Sequence, residues 1–397
     1  MLNHIRVVLL LFVIVMSVWA VTAQDTPDFN IDDLVVVNII ETELLGGPVG
    51  TSGYLSPDGS MLMHTDGEQF CFYALPDLDQ LSCTPHPEDR NPLPDSIVWS
   101  PDSRYLAFMD FDFLRSLRDS DIWIIDSADG TMTNLTEDDS FDAPVIRPPE
   151  GPPPHMDLEP RWMDDTTVAF IRYDYDVEAE NILPAAIYSV SVEGGDPTLV
   201  RDISDSNGRL DVYYMDWLAG QDQYIFNRAN RGDDEYYVLL DNGDEAPQAI
   251  LEETDVEGLA ASVYMLSLSP NAEQALIYDG RALSNPGIPL EPENSPVRVV
   301  DLSTSELSLI DFEHIVWEAG WAPDGMGLVY TTRSIEMEND GLYLTSAAGE
   351  PGRMILEGRF AGTTSYSHQP IQWASNNTIL VRNNDGYNLV LVELGTE

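Results

Sequence analysis

The chain has 397 residues, 43% of them hydrophobic, and sets 69 Asp and Glu against 18 cations for a formal net charge of -51. That length can bury a large core, while so negative a field repels nucleic-acid phosphate and anionic lipid headgroups and argues against both as partners. All 18 cations are Arg, and the acidity reads first as a hydrated surface suited to a salty or extracellular setting.

The N-terminus reads as an export signal. Arg6 precedes the apolar run from Val7 to Val21, and Val21-Thr22-Ala23 offers small residues before a cut ahead of Gln24. The alternative is an uncleaved anchor, although 15 apolar residues fall short of the roughly 20 that span a bilayer. No Cys lies near Ala23 to carry a lipid. The expected division is a signal peptide over residues 1–23, a short linker over 24–33 and one domain over 34–397.

Within that domain one motif returns seven times: a bulky apolar anchor, a tight polar turn, then an apolar strand. The anchors are Leu55, Trp99, Trp162, Trp217, Leu268, Trp321 and Trp373, separated by 44, 63, 55, 51, 53 and 52 residues. The best turns are Ser56-Pro57-Asp58-Gly59, Ser100-Pro101-Asp102-Ser103 and Ala322-Pro323-Asp324-Gly325. Pro presets the first corner, Asp accepts backbone N–H groups and Gly supplies positive φ. Each unit contains short Val-, Ile-, Tyr- and Phe-rich runs, such as Tyr105-Leu106-Ala107-Phe108 and Ile122-Trp123-Ile124-Ile125, which read as four strands. An array of four-stranded units buries its faces by stacking each unit on the next, with the anchors as wedges.

The last unit is one strand short, and Leu34 to Ile40 is a spare strand ahead of the first. Pairing 34–40 with 388–392 closes a ring without a free edge. The fold class is therefore an all-β propeller of seven four-stranded blades closed by the N-terminal strand. Six blades plus an irregular unit is the alternative, because the fourth unit lacks the Pro-Asp turn. Cys71 and Cys83, the only cysteines, lie equidistant from residue 77 in an apparent hairpin, so a cross-strand disulfide is expected, in keeping with an oxidising compartment.

Trp99-Ser-Pro-Asp-Ser103 followed by Tyr105-Leu-Ala-Phe108, and Trp321-Ala-Pro-Asp-Gly325 followed by Gly327-Leu-Val-Tyr330, resemble the WD-repeat-like propeller repeats of the TolB family. The likeness covers nearly the whole domain and is sharp in three units. It implies envelope docking, sensing or gating. The α/β domain that precedes the propeller in TolB itself has no counterpart ahead of Leu34.

Short turns fall on one face of such a ring, whereas the long connections, 110–121, 138–158, 173–184, 281–296 and 333–340, fall on the other. Loop elaboration on a rigid scaffold is where binding residues concentrate, so the second face is the candidate surface. Its candidate residues are Asp110, Asp112, Arg172, Asp174, Asp176, Glu178 and Arg228. Asp110, Asp112, Asp174 and Asp176 are also candidates for Ca²⁺, though neither run carries the Gly and terminal Glu of an EF-hand loop. Arg172 and Arg228 end comparable second strands, where they reach the channel mouth or pair with acids. Pro148 to Pro154 is a stiff segment suited to covering the rim.

No catalytic set is legible: there is no Gly-x-Ser-x-Gly elbow, no phosphate loop with Lys and no His-Glu-x-x-His. Propellers can build a metal site from histidines in separate blades, as in pectate-degrading lyases; His155, His314 and His368 are the set to watch. The expectation is a secreted or envelope-facing, monomeric, non-enzymatic module that needs no cofactor and binds a protein or glycan. The competing reading is a propeller enzyme acting on a polymer such as polysaccharide, with or without a metal.

Overall fold

The structure is a computed structural model that describes residues 30–46, 51–87, 91–111, 120–137, 155–173, 175–176, 181–182, 185–203, 214–230, 235–243, 246–252, 259–280, 291–334, 339–346, 348–363, 369–385 and 387–396. Contacts divide the chain after Asn30, and all the sheets lie in the unit from Ile31 onward. The expected signal peptide over 1–23, and the linker as far as residue 29, lie outside the described residues.

Seven antiparallel sheets follow one another in chain order, each built as inner, second, third and outer strand. In the first blade these are Ser52–Leu55, Met61–Thr65, Gln69–Ala74 and Asp79–Pro85. The inner strands of the other six end at Trp99, Trp162, Trp217, Leu268, Trp321 and Trp373, so every anchor marks the end of an inner strand. The fourth unit is a full blade, Met215–Trp217, Tyr224–Asn230, Glu235–Asp241 and Gln248–Glu252. Its Leu218-Ala219-Gly220 turn does without Pro-Asp because Gly220 supplies a φ of 77°. Seven blades is therefore the count.

The turn after each anchor works as its residues dictate. Ser56 and Ser100 send their hydroxyls to Asp58 and Asp102 at 2.7 and 2.6 Å, and those carboxylates accept the backbone N–H of Ser60 and Arg104. Four residues past the anchor the chain is left-handed, at Gly59 and Gly325 and also at Ser103, Ala272 and Asn377. Gly59 is held to glycine twice over, because a Cβ there would sit 2.0 Å from Asn376 of the neighbouring blade.

The seventh blade comprises Gln372–Trp373, Thr378–Asn383 and Asn388–Thr396, with Leu34–Leu45 as its outer strand. Leu34 pairs with Thr396, Ile39 with Val392 and Leu45 with Asn388. The closing strand thus runs five residues beyond the expected Ile40, tied by Thr42, whose hydroxyl donates to the Leu389 carbonyl at 3.0 Å. At the second blade the inner strand, which the run Ser96-Ile97-Val98-Trp99 suggests should begin at Ser96, is confined to Val98–Trp99. Pro94–Ser96 instead forms a single helical turn, and the Ser96 hydroxyl accepts the N–H of Met109.

The core lies between blades. Val98, Ile124 and Leu135 of the second blade pack on Trp162, Val168 and Phe170 of the third. Leu55 and Leu62 of the first pack on Leu380, Leu389 and Leu391 of the seventh. Cys71 and Cys83 face each other across the third and outer strands of the first blade and are joined by a disulfide.

Candidate binding face and axial channel

A ring of residues just before the anchors joins the blades. The indole N–H of Trp99 donates to the Tyr54 carbonyl, that of Trp162 to Val98 and that of Trp321 to Ser267, each at 3.1 Å and each reaching back one blade. Leu55 and Leu268 have no such donor, and there the preceding blade reaches forward instead. Gln372 accepts the Leu55 N–H at 2.6 Å and donates to the Gly53 carbonyl at 3.0 Å, while Asp216 accepts the Leu268 N–H at 2.6 Å. Between the sixth and seventh blades the ring position is Gly320, where a Cβ would stand 2.2 Å from the Ile371 carbonyl oxygen. These bonds satisfy the inner edges that line the axis.

Where the anchor turns converge, two cavities of about 450 and 310 Å³ open on the axis. Trp99, Pro101, Pro270 and Gln369 border both, with Trp373 and Pro57 in the first and Arg161, Asp216 and Trp217 in the second. The charged groups here are mutually engaged: Arg161 meets Glu159 at 2.9 Å and Asp216 at 3.5 Å. Burial pushes the Asp216 carboxyl up to about 6 against the pull of Arg161, and burial likewise raises Glu159. This arrangement holds the third, fourth and fifth blades together and presents no nucleophile paired with a base.

The elaborated face is the opposite one. Anchor turns span 4 to 6 residues in all seven blades, and connections from third to outer strand span 4 to 7. On the other face, links between blades run to 21 residues and connections from second to third strand to 17. Asp112, Asp174 and Glu178 lie outside the described residues, as does the Pro148–Pro154 segment. Asp176 pairs with Asn181 in a two-stranded ribbon beyond the third blade.

Asp110 is fully buried, and its oxygens accept the N–H of Asp121 at 2.8 Å and of the Trp123 indole at 3.0 Å, so its carboxylate wires a hairpin together. Arg172 is also buried and grips Asp157 through two bonds of 2.7 and 2.6 Å; burial outweighs that contact and raises the Asp157 carboxyl. Arg228 borders a groove of about 420 Å³ with Arg201 and Asp202. Asp110, Arg172 and Arg228 thus stand on the second strands of successive blades, the second, third and fourth. Among the described residues no three His, Cys, Asp or Glu gather as metal ligands. His314 pairs with Asp311 at 2.8 Å, and His368 lies outside the described residues.

Sequence reasoning stopped at two of the arginines that end second strands. Arg333 and Arg382 occupy the same place in the sixth and seventh blades. The signal was available: Arg falls 10, 11, 12 and 9 residues after Trp162, Trp217, Trp321 and Trp373.

No protein-family model matches the chain, and no curated protein matches it. Among solved structures it is similar to an oligogalacturonate lyase in complex with manganese, with 14% identity, 77% of this chain and 78% of that one covered, and a TM-score of 0.51. The oligogalacturonate lyase of Vibrio parahaemolyticus matches at 11% identity, 74% and 77% coverage and TM-score 0.51. A chain of the mitotic checkpoint complex matches at 12% identity, 98% and 99% coverage and TM-score 0.50. At such identities the likeness is one of fold, and the fold is that of a seven-bladed β-propeller.

Proposed function

We propose that this chain is an exported, monomeric propeller of the TolB type that works without catalysis or a resident cofactor, holding a protein partner on the face with the long connections. In this reading residues 1–23 direct export, 24–33 form a linker and 34–397 fold as one domain in the envelope or outside the cell. The observation that carries it is the one-sided elaboration: every turn on the anchor face is kept to 7 residues or fewer, while the other face carries connections of up to 21. The disulfide suits an oxidising compartment, and among the described residues no helix is long and apolar enough to cross a membrane. A chain of a multi-protein assembly shares the fold over nearly all of its length.

The test places a photo-crosslinking amino acid at Tyr387, exposed on the elaborated face, or at Met326, exposed in an anchor turn of the opposite face. In the cells that make the protein, a defined cross-linked partner is expected from Tyr387 and not from Met326; the reverse pattern overturns the assignment of the face. The two lyase neighbours motivate the competing reading. Cleavage of oligogalacturonate by the purified chain with Mn²⁺ would overturn the non-enzymatic one.

A further inference from the structure

In a chain with 69 acids and 18 arginines, a guanidinium left without a carboxylate calls for an explanation. Arg104, Arg161, Arg172, Arg201 and Arg359 each have one within 4.0 Å. Arg333 has none among the described residues. It leaves the second strand of the sixth blade with its guanidinium 4.5 Å from the centre of the Trp317 ring, and its buried Nε has no hydrogen-bond partner. Burial lowers its pKa, and the charges of Arg382 and Arg359 lower it further, while Glu318 and Asp340 act the other way.

Both nearby acids are already engaged. Glu318 accepts the Gly362 N–H at 2.6 Å, and burial raises its carboxyl toward the neutral form. Asp340 accepts from Arg359 at 3.1 Å and from the Ser334 N–H at 2.6 Å. Arg382 donates its Nε to the Gly362 carbonyl at 2.7 Å and lies 5.6 Å from the Tyr387 ring. The strand ladder sets Arg382 opposite Ala361, two residues from Arg359. Three guanidinium groups therefore lie close enough to act on one another where the sixth and seventh blades adjoin, on the elaborated face, with Glu318 and Asp340 as the acids that act on Arg333 among the described residues.

We propose that Arg333, with Arg359 and Arg382 beside it, forms a binding site for a monoanionic carboxylate between the sixth and seventh blades. A guanidinium fork matches the two oxygens of a carboxylate, and the Arg333 guanidinium has no carboxylate of its own among the described residues. Trp317 covers one face of the guanidinium, which leaves its edge for the ligand. The field of a molecule at -51 sets the charge: a dianionic phosphate meets about twice the repulsion that a carboxylate meets on approach. The inference rests on the elaborated face being the binding surface and names one chemical group that it recognises.

The absence of lysine and the small number of arginines make a direct test available. Full-length protein carrying ¹⁵Nε-arginine gives at most 18 Nε–Hε signals, and Arg333→Met identifies the signal in question while the undisturbed remainder reports the fold. Sodium acetate is titrated against NaCl at equal ionic strength. The Arg333 signal should move saturably with acetate and not with chloride, and inorganic phosphate at the same ionic strength should move it less. Arg359→Gln, at a side chain 38% exposed, should weaken the acetate midpoint by about threefold. An Arg333 signal indifferent to acetate overturns the site, and an unchanged midpoint in Arg359→Gln overturns its three-arginine composition. Either failure leaves the cross-linking map of the face intact.

Discussion

Asp216 shows how much one side chain on the axis does. It accepts the N–H groups of Leu268 and Trp217, faces Arg161 and Glu159, and so ties three blades at one point. Its folded-state pKa of about 6 lies above the ordinary carboxyl value of 3.8, so between these values the folded chain holds a proton that the unfolded chain has released. The stability gained from that proton is complete below about pH 4 and is lost as pH rises through about 6. Asp216→Asn keeps an acceptor for Leu268 and cannot ionise. Measured by chemical denaturation, wild type should therefore lose stability relative to Asp216→Asn by about 3 kcal/mol between pH 4 and 7, two pKa units at about 1.4 kcal/mol each. A constant difference across that range would refute the burial argument. None of this is legible in the sequence: Asp216 and Gln372 look there like solvent-facing residues of a strand. Their purpose appears only beside the anchors of the next blade, Leu268 and Leu55, which lack the indole donor that Trp99, Trp162 and Trp321 supply at their seams.

Turns and strands are far more legible than these seams, because their chemistry is local. Pro57, Asp58 and Gly59 dictate a turn wherever they occur, and the spare strand at Leu34 is visible because the last unit lacks a fourth. Strand ends are not, since tertiary contacts decide them: Ser96 gives up its place in a strand to bond Leu93 and Met109, and the closing strand reaches Leu45 because Thr42 and Asn388 bond across the seam. That strand also anchors the sixth blade, through Arg353 donating to the carbonyls of Ile31 and Leu34. Deleting residues 24–45 removes the whole outer ladder of the seventh blade and exposes the third strand as an edge. The melting temperature should fall by at least about 10 °C, or cooperative unfolding should disappear; an unchanged transition would show that the ring closes without it. Deleting residues 24–29 alone, which stops short of Ile31, should leave the melt unaltered and serves as the control.

The seven-fold count survives the passage from sequence to structure because it depends on spacing, whereas the distribution of charge over the molecule cannot be read without the fold. At most 18 of the 69 acids can have an arginine of their own, which leaves 51 carboxylates in mutual repulsion over one domain. Arg161 and Arg172 are paired in the interior, but they take Glu159, Asp216 and Asp157 with them, so nearly the whole excess of acids is left to the rest of the molecule. Unfolding moves these charges apart, so repulsion opposes the folded state at low salt, and screening over roughly 10 Å at 0.1 M relieves it. Melting temperature should rise steeply from a few millimolar to about 0.5 M NaCl. Calcium separates screening from binding. A site formed by the carboxylates of the elaborated face adds a mass-action gain that NaCl at equal ionic strength does not. With Asp110 already committed to Asp121 and Trp123, that gain has to come from other acids, so Asp110→Asn should leave any calcium-specific shift in place while lowering the melting temperature in both salts. Equal shifts in CaCl₂ and NaCl would reject a calcium site, and a melt indifferent to salt would reject the repulsion argument.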